Sequence, residues 1–414
     1  ADDTAIPSGK VGSRQLCESI QETECSFFCN LMIYRIFASV LKIISMKALK
    51  LLLAVVMVAV ASLQLSAQES VSYKISKKGL VRSKVAEDST VEQLTVLKPI
   101  LIFKGRYELG TESGDSRFAL RNSRVGVQGD LSKQISYKFM VDFSDNGKLR
   151  VLDIFATIKP VKGLKLTFGQ GGLPIFNSYT TSPNSIDFAN RPFIGKYIFS
   201  SRDIGLTANY TIKQKGFPIA VEAGVYNGDG INNPVWTGTL AYSGRLLFGS
   251  MKGWRTSVKF LRSKADELEN YYIWGADLRY ENSDFKFEAE YMNKFNDINA
   301  DEMGDELYSA AEPYKSLSIA YVQGLFKIPV QSQAFKRIEP CFRWDGAGYD
   351  LLDSGLGCNR ATAGVNFVLN SDTFTSLFRV NYEHYFNNSK DMSPIFTSQY
   401  HNENKLSLEL LIVF

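Results

Sequence analysis

The residues best able to do chemistry are few. The chain has two histidines, His384 and His401. Neither sits in an HExxH zinc pattern, and the chain has no P-loop and no G-x-S-x-G turn. A hydrolase mounted in a membrane wall needs a histidine, a serine and an amide or carboxylate together. His384 is the only candidate base, and nothing near it in sequence supplies such a set. The stretch Asn227-Gly228-Asp229-Gly230-Ile231-Asn232-Asn233 has the outline of a calcium loop but too few carboxylates for a hard cation, so it reads as a turn-rich connection. Cys341 and Cys358 share one parity and flank one connection. They either bridge two strands, if the register is symmetric about Tyr349, or stay as two thiols. No catalytic residue, metal site or cofactor is expected. What remains is a long alternation of charged and apolar residues, whose use depends on the element that carries them.

That element shows most plainly in the last ten residues, 405–414. Leu406, Leu408, Leu410, Ile412 and Phe414 share one parity, while Lys405, Ser407 and Glu409 share the other. Successive strand side chains point to opposite faces, so one face here is wholly apolar. A strand of this kind ending on an aromatic residue suits the closure of a membrane β-barrel. Period-2 alternation runs from Thr95 onward: Phe285, Phe287, Ala289 and Tyr291, for example, alternate with Lys286, Glu288 and Glu290. Sixteen such segments are expected, at 95–109, 117–129, 135–143, 149–159, 162–171, 202–213, 217–227, 237–248, 252–263, 270–283, 284–295, 314–327, 334–345, 358–370, 374–386 and 403–414. The even number lets both ends of the wall sit on one side of a membrane.

Tight turns (129–134, 159–162, 213–216, 249–253, 281–284, 370–373) alternate with longer links (110–116, 172–201, 227–236, 263–269, 296–313, 346–357, 387–402). The links 144–148 and 328–333 depart mildly from this rule. Arg121 and Arg124 have opposite parity, so a bulge or strand end must accommodate one of them. Trp236, Trp254, Trp274 and Trp344 fall near strand ends, as an interfacial girdle requires; buried core tryptophans are the alternative. The apolar faces carry no charge although 22% of the chain is charged. A lipid-facing charge at mid-membrane costs about 2–4 kcal/mol in barrels, a penalty that a soluble sheet does not bear. The expected fold class is therefore all-β, a 16-stranded antiparallel transmembrane barrel over 95–414, facing outer-membrane lipid.

The rest of the chain fits export. A basic start, Met46-Lys47-Ala48-Leu49-Lys50, precedes an apolar run from Leu51 to Leu65 and the small residues Ser66-Ala67. This order is that of a signal peptide, 46–67, cut after Ala67, with a membrane anchor as the alternative. Residues 1–45 lack alternation, carry Cys17, Cys25 and Cys29, and read as an upstream extension absent from the native protein. Residues 68–94 read as a periplasmic lead-in, irregular or briefly helical. The net charge of +4 gives no support for a nucleic-acid partner.

The stretch 169–205 carries a family likeness. It contains Gly169-Gln170-Gly171-Gly172-Leu173-Pro174-Ile175-Phe176, then Ser182-Pro183-Asn184-Ser185-Ile186-Asp187-Phe188, Arg191-Pro192, and Arg202-Asp203-Ile204-Gly205. Phe118-Ala119-Leu120-Arg121-Asn122-Ser123-Arg124-Val125 and Tyr226-Asn227-Gly228-Asp229-Gly230 with Gly244-Arg245 extend it. In order and spacing the chain resembles the phosphate-selective porin O and P family of bacterial outer membranes. The resemblance implies a homotrimer of 16-stranded barrels, each with its third long loop, here 172–201, folded inward so that Arg191 and Lys196 face a constriction. The implied function is passive diffusion of small hydrophilic solutes, leaning to anions such as phosphate. The cations expected on the inner wall are Lys104, Arg106, Lys138, Lys165, Arg245, Arg255, Lys259, Arg343, Arg360 and Arg379. The expected carboxylates are Glu108, Asp142, Asp203, Asp277, Glu288, Glu290, Glu339 and Glu383. Basic rings favour anions and acidic rings favour cations. A non-conducting barrel whose loops bind a surface ligand is the alternative.

Overall fold

The structure is a computed structural model. It describes residues 71–76, 79–85, 91–145, 148–175, 177, 185–194, 201–212, 217–250, 252–264, 270–297, 316–348, 357–369, 375–386 and 403–413. Apart from Val71, these belong to the larger of two units, Ser72–Phe414. The expected signal peptide, the upstream extension, Lys196, His401 and Phe414 lie outside the described residues.

The strands in chain order are β1 (Val71–Ser76), β2 (Gly79–Val85), β3 (Val91–Gly110), β4 (Ser116–Leu120), β5 (Arg124–Asp130), β6 (Ile135–Asp145), β7 (Lys148–Ile158), β8 (Leu164–Gly172), β9 (Arg202–Ile212) and β10 (Ile219–Tyr226). They continue as β11 (Ala241–Gly249), β12 (Gly253–Lys264), β13 (Asn270–Glu281), β14 (Phe285–Asp297), β15 (Ser316–Phe326), β16 (Ile328–Pro329), β17 (Phe335–Gly348), β18 (Gly357–Leu369), β19 (Thr375–Phe386) and β20 (Lys405–Val413).

The lead-in corrects the expectation of an irregular segment. β1 pairs with β2, and β2 pairs antiparallel with the first part of β3, from Val85↔Val91 to Leu80↔Leu97. The cause is local. Val71, Tyr73 and Ile75 alternate with Ser72, Lys74 and Ser76, a short run whose β-branched and aromatic members favour strand.

At Lys98, β3 changes partners and enters the wall. It pairs with β5 from Lys98↔Gln128 to Ile102↔Arg124, then with β4 from Gly105↔Leu120 to Leu109↔Ser116. β4 and β5 are thus one wall strand broken by a one-residue bulge, which resolves the parity conflict between Arg121 and Arg124. Asn122 takes the left-handed conformation there (φ 53°), which asparagine tolerates better than most residues. The Ser123 hydroxyl accepts the Lys104 N–H at 3.1 Å and restores a ladder bond lost at the bulge. β15 and β16 likewise both pair with β17. The wall therefore has sixteen strands, each antiparallel to its neighbours. β20 pairs with β3 from Lys405↔Gly110 to Val413↔Ile102, which closes the barrel.

Polarity across this wall is inverted relative to a soluble protein. Leu101, Phe103, Val125, Ile154, Val221, Val258, Phe342 and Leu410 are exposed on the outside, while Lys104, Arg360 and Glu409 are 0% exposed on the inside. Aromatic rings meet on the outer face near both rims. At the short-turn end Trp254 packs on Tyr280 (4.8 Å between centroids), Phe285 on Phe326 (5.0 Å) and Phe335 on Phe367 (5.3 Å). Toward the long-loop end Tyr107 meets Phe118 (5.1 Å) and Trp274 meets Tyr291 (5.3 Å). Trp236, Trp254 and Trp274 are exposed and Trp344 is half-buried, so none of the four is a buried core residue.

Candidate functional site

The connection between β8 and β9 determines how the interior is used. β8 leaves the wall with Gly169 at φ 128°, where an added Cβ would come within 2.3 Å of the Ile154 carbonyl. Only glycine suits that combination. The next residue, Gln170, donates from Nε2 to Asn232 Oδ1 at 2.9 Å and accepts the Asn232 N–H at 2.7 Å. Asp203, one residue into β9, accepts the Gly228 N–H at 2.9 Å. The motif residues Gln170 and Asp203 thus fasten the 227–240 connection to the rim beside them. That connection is the would-be calcium loop, and its turn residues are engaged in these bonds.

Between those strand ends, the described loop residues pack against the inner wall. Leu173, Ile175, Phe193 and Ile194 are fully buried, in one cluster with Leu261, Tyr271, Ile273, Met292, Ile319 and Tyr321. Polar groups fix the rest. Asn177 donates its N–H to Glu290 at 2.9 Å and its side-chain amide to Glu288 at 2.6 Å, and accepts from Arg255. Asp187 accepts from Lys286 at 2.7 Å and Gln323 at 3.1 Å.

Four arginines then grip backbone carbonyls between Ile186 and Arg191. Arg379 donates to Ile186 and Phe188, Arg106 to Ala189, Arg343 to Asn190 at 2.8 Å, and Arg360 to Arg191 at 3.0 Å. The Asn190 side chain also accepts from Arg106 at 2.7 Å and donates to Glu383 at 2.8 Å. Arg343 and Arg360 stack over the Phe188 and Phe193 rings at 4.6 and 4.5 Å. Carboxylates neutralise the same guanidinium groups: Glu409 pairs with Arg106 (2.6 Å), Arg379 (2.9 Å) and Lys104 (3.3 Å), while Asp345 pairs with Arg343 and Arg360 (both 2.9 Å).

Among the described residues, an open space lies on the other side of the loop. A cavity of about 600 Å³ is bounded by β5 to β10 and by Pro174 and Arg191 of the loop. Its charged lining is Arg124, Lys138, Lys159, Lys165, Arg191 and Arg202 against Asp153, Asp203 and Glu222.

This arrangement sorts the expected pore-lining cations. Lys138, Lys165 and Arg191 line the cavity. Lys104, Arg106, Arg245, Arg255, Arg343, Arg360 and Arg379 do not; they are buried among carboxylates and loop groups, Arg245 for example donating to the Pro174 carbonyl at 2.6 Å. Strand parity gives the face of a residue, and all seven do face inward, but parity is blind to what a loop later covers. Lys259 and all eight expected inward carboxylates are buried on that face as well. Three lining cations were not foreseen. Arg202 belongs to the Arg-Asp-x-Gly motif, Arg124 lies beside the bulge, and Lys159 belongs to a tight turn.

Two further expectations are corrected or placed. Cys341 and Cys358 are both buried and are not bonded to each other. Cys358 lies opposite Ala347, and Cys341 lies opposite Gly364, so the two sit six residues apart along the β17–β18 ladder. At about 3.3 Å per residue that exceeds any disulfide span. His384 points outward between Tyr382 (6.5 Å) and Phe386 (4.6 Å), on the lipid side of the wall, away from every group that line the interior.

A closed sixteen-stranded wall, apolar outside and charged inside, with the described residues of a long connection packed on its inner face, defines a porin of the bacterial outer membrane. The family model for "Phosphate-selective porin O and P" matches residues 103–349. The chain belongs to the phosphate-selective porin O and P family, whose members are outer-membrane channels. Among solved structures it is similar to OmpF of Salmonella typhi in complex with daunomycin (TM-score 0.54, 12% identity, covering 77% of this chain and 97% of that one). It is also similar to the trimer form of in-vitro folded OmpT of Vibrio cholerae (TM-score 0.52, 12% identity, 77% and 99%). The outer membrane channel DcaP of Acinetobacter baumannii is a third (TM-score 0.51, 14% identity, 77% and 97%). These likenesses concern the fold. No curated protein matches the chain.

Proposed function

We propose that this porin conducts small hydrophilic solutes passively along the β5–β10 side of its lumen, with a lean toward anions, phosphate among them. The supporting observation is the charge on the cavity lining, six cations against three carboxylates. Fixed positive charge around a water-filled path raises the local concentration of anions and lowers that of cations. On this reading the loop 172–201 is the constriction, a role supported by its described residues packing against the inner wall opposite the cavity. On the same reading the chain is exported by residues 46–67, which are cleaved after Ala67, and it works as a homotrimer, the assembly named for the OmpT trimer form.

The test is the reversal potential of the reconstituted channel in asymmetric KCl, with and without phosphate. An anion-side potential that phosphate moves further supports the proposal. A cation-side potential rejects the anion lean, and a folded barrel without conductance returns the chain to a loop-binding role. Chemical cross-linking in detergent reads the trimer directly.

A further inference from the structure

The cations on the cavity lining are not equally available. Lys138 on β6 places Nζ 2.6 Å from Asp153 Oδ2, and Arg202 at the start of β9 places Nε 2.8 Å from Asp153 Oδ1. Arg202 reaches β7 across β8, at the point where β8 carries Gly171 and Gly172 and no side chain intervenes. Asp153 is 3% exposed, and all three charged groups line the cavity. The other two lining carboxylates do not act this way. Asp203 accepts the backbone N–H groups of Ile204 and Gly228, and Glu222 faces Arg245, which is outside the lining, at 3.8 Å. Lys165 lines the same cavity and has no ion pair among the described residues.

We infer that Asp153 is a selectivity-setting residue: one carboxylate that neutralises two lining cations and so fixes how strongly the channel discriminates between anions and cations. The inference rests on the cavity being the conducting path. It concerns a shift in selectivity, so it stands apart from the sign of the wild-type preference. Replacing Asp153 by asparagine keeps the shape and an amide oxygen for hydrogen bonding while it removes the charge. The lining then carries one negative charge fewer beside Lys138 and Arg202.

The experiment measures reversal potentials of reconstituted D153N and wild-type channels in a KCl gradient, with folding checked by the heat-dependent mobility of the barrel on a gel. The anion-to-cation permeability ratio of D153N is expected to rise about threefold, the order of one charge acting across several ångströms of water. A folded D153N channel with an unchanged or lower ratio overturns the inference. A wild-type channel that prefers cations rejects the anion lean above, yet a D153N shift toward anions still supports the role of Asp153. If D153N does not fold, K138Q and K165Q decide. K165Q should lower the ratio more than K138Q, because Lys138 is already half-compensated by Asp153. The opposite order overturns the inference.

Discussion

Glu409 shows how much one side chain holds in this wall. It is fully buried on the closing strand β20 and serves Lys104 and Arg106 on β3 and Arg379 on β19 at once. Removing one partner from a buried ionic group leaves uncompensated charge and costs about 3–5 kcal/mol. E409A is therefore expected to lower the temperature at which the compact barrel band converts to the unfolded one, with E409Q, which keeps an acceptor, falling between. The parity of Glu409 opposite Leu408 was readable in the sequence. Its partners were not, because pairing Arg106 with Glu409 depends on a closure between residues about 300 apart, which no local pattern encodes. The cysteines teach the same lesson. Their shared inward parity holds, but the β17–β18 register is centred between residues 352 and 353 and not on Tyr349. Neither thiol is expected to change gel mobility between reducing and non-reducing conditions, and a maleimide should label both only after denaturation, since both are buried.

At the scale of elements, the wall and its loop follow different rules. Strand faces obey period 2, so the sixteen segments, their short and long connections and the need for a bulge or strand end near Arg121 were legible. The docking of loop 172–201 has no periodicity to read. Its anchors are backbone carbonyls from Ile186 to Arg191, which any sequence offers, and the arginines that hold them come from β3, β17, β18 and β19. Asn190 is the member whose side chain matters most, since it bonds both Arg106 and Glu383. Leaving such buried groups short of a partner costs about 1–3 kcal/mol. That loss falls on the loop and spares the wall, whose ladder bonds are untouched. N190A is expected to keep the unfolding temperature of the barrel nearly constant while single-channel recordings show larger or flickering conductance. A steady wild-type current in N190A would mean that the loop does not narrow the path.

For the whole molecule, the decisive property is which medium touches the outer face. Val258 lies near the middle of β12 and points outward, exposed by about half (53%). Trp254 points outward on the same strand, one residue from its short-turn end, and rests on Tyr280. In water an arginine at either site would be nearly free of cost, and W254R would be the worse of the two because it forfeits the ring contact. In a bilayer the order reverses. An arginine at mid-membrane costs about 2–4 kcal/mol, while one near the interface costs about 0–1 kcal/mol, since its long side chain reaches the headgroups. V258R is thus expected to destabilise the barrel more than W254R when unfolding by denaturant is followed in lipid vesicles, and the gap should shrink in small detergent micelles that thin around the site. Equal penalties in vesicles would place Val258 outside the hydrocarbon layer, and the depth assigned to the rest of β12 would have to move with it.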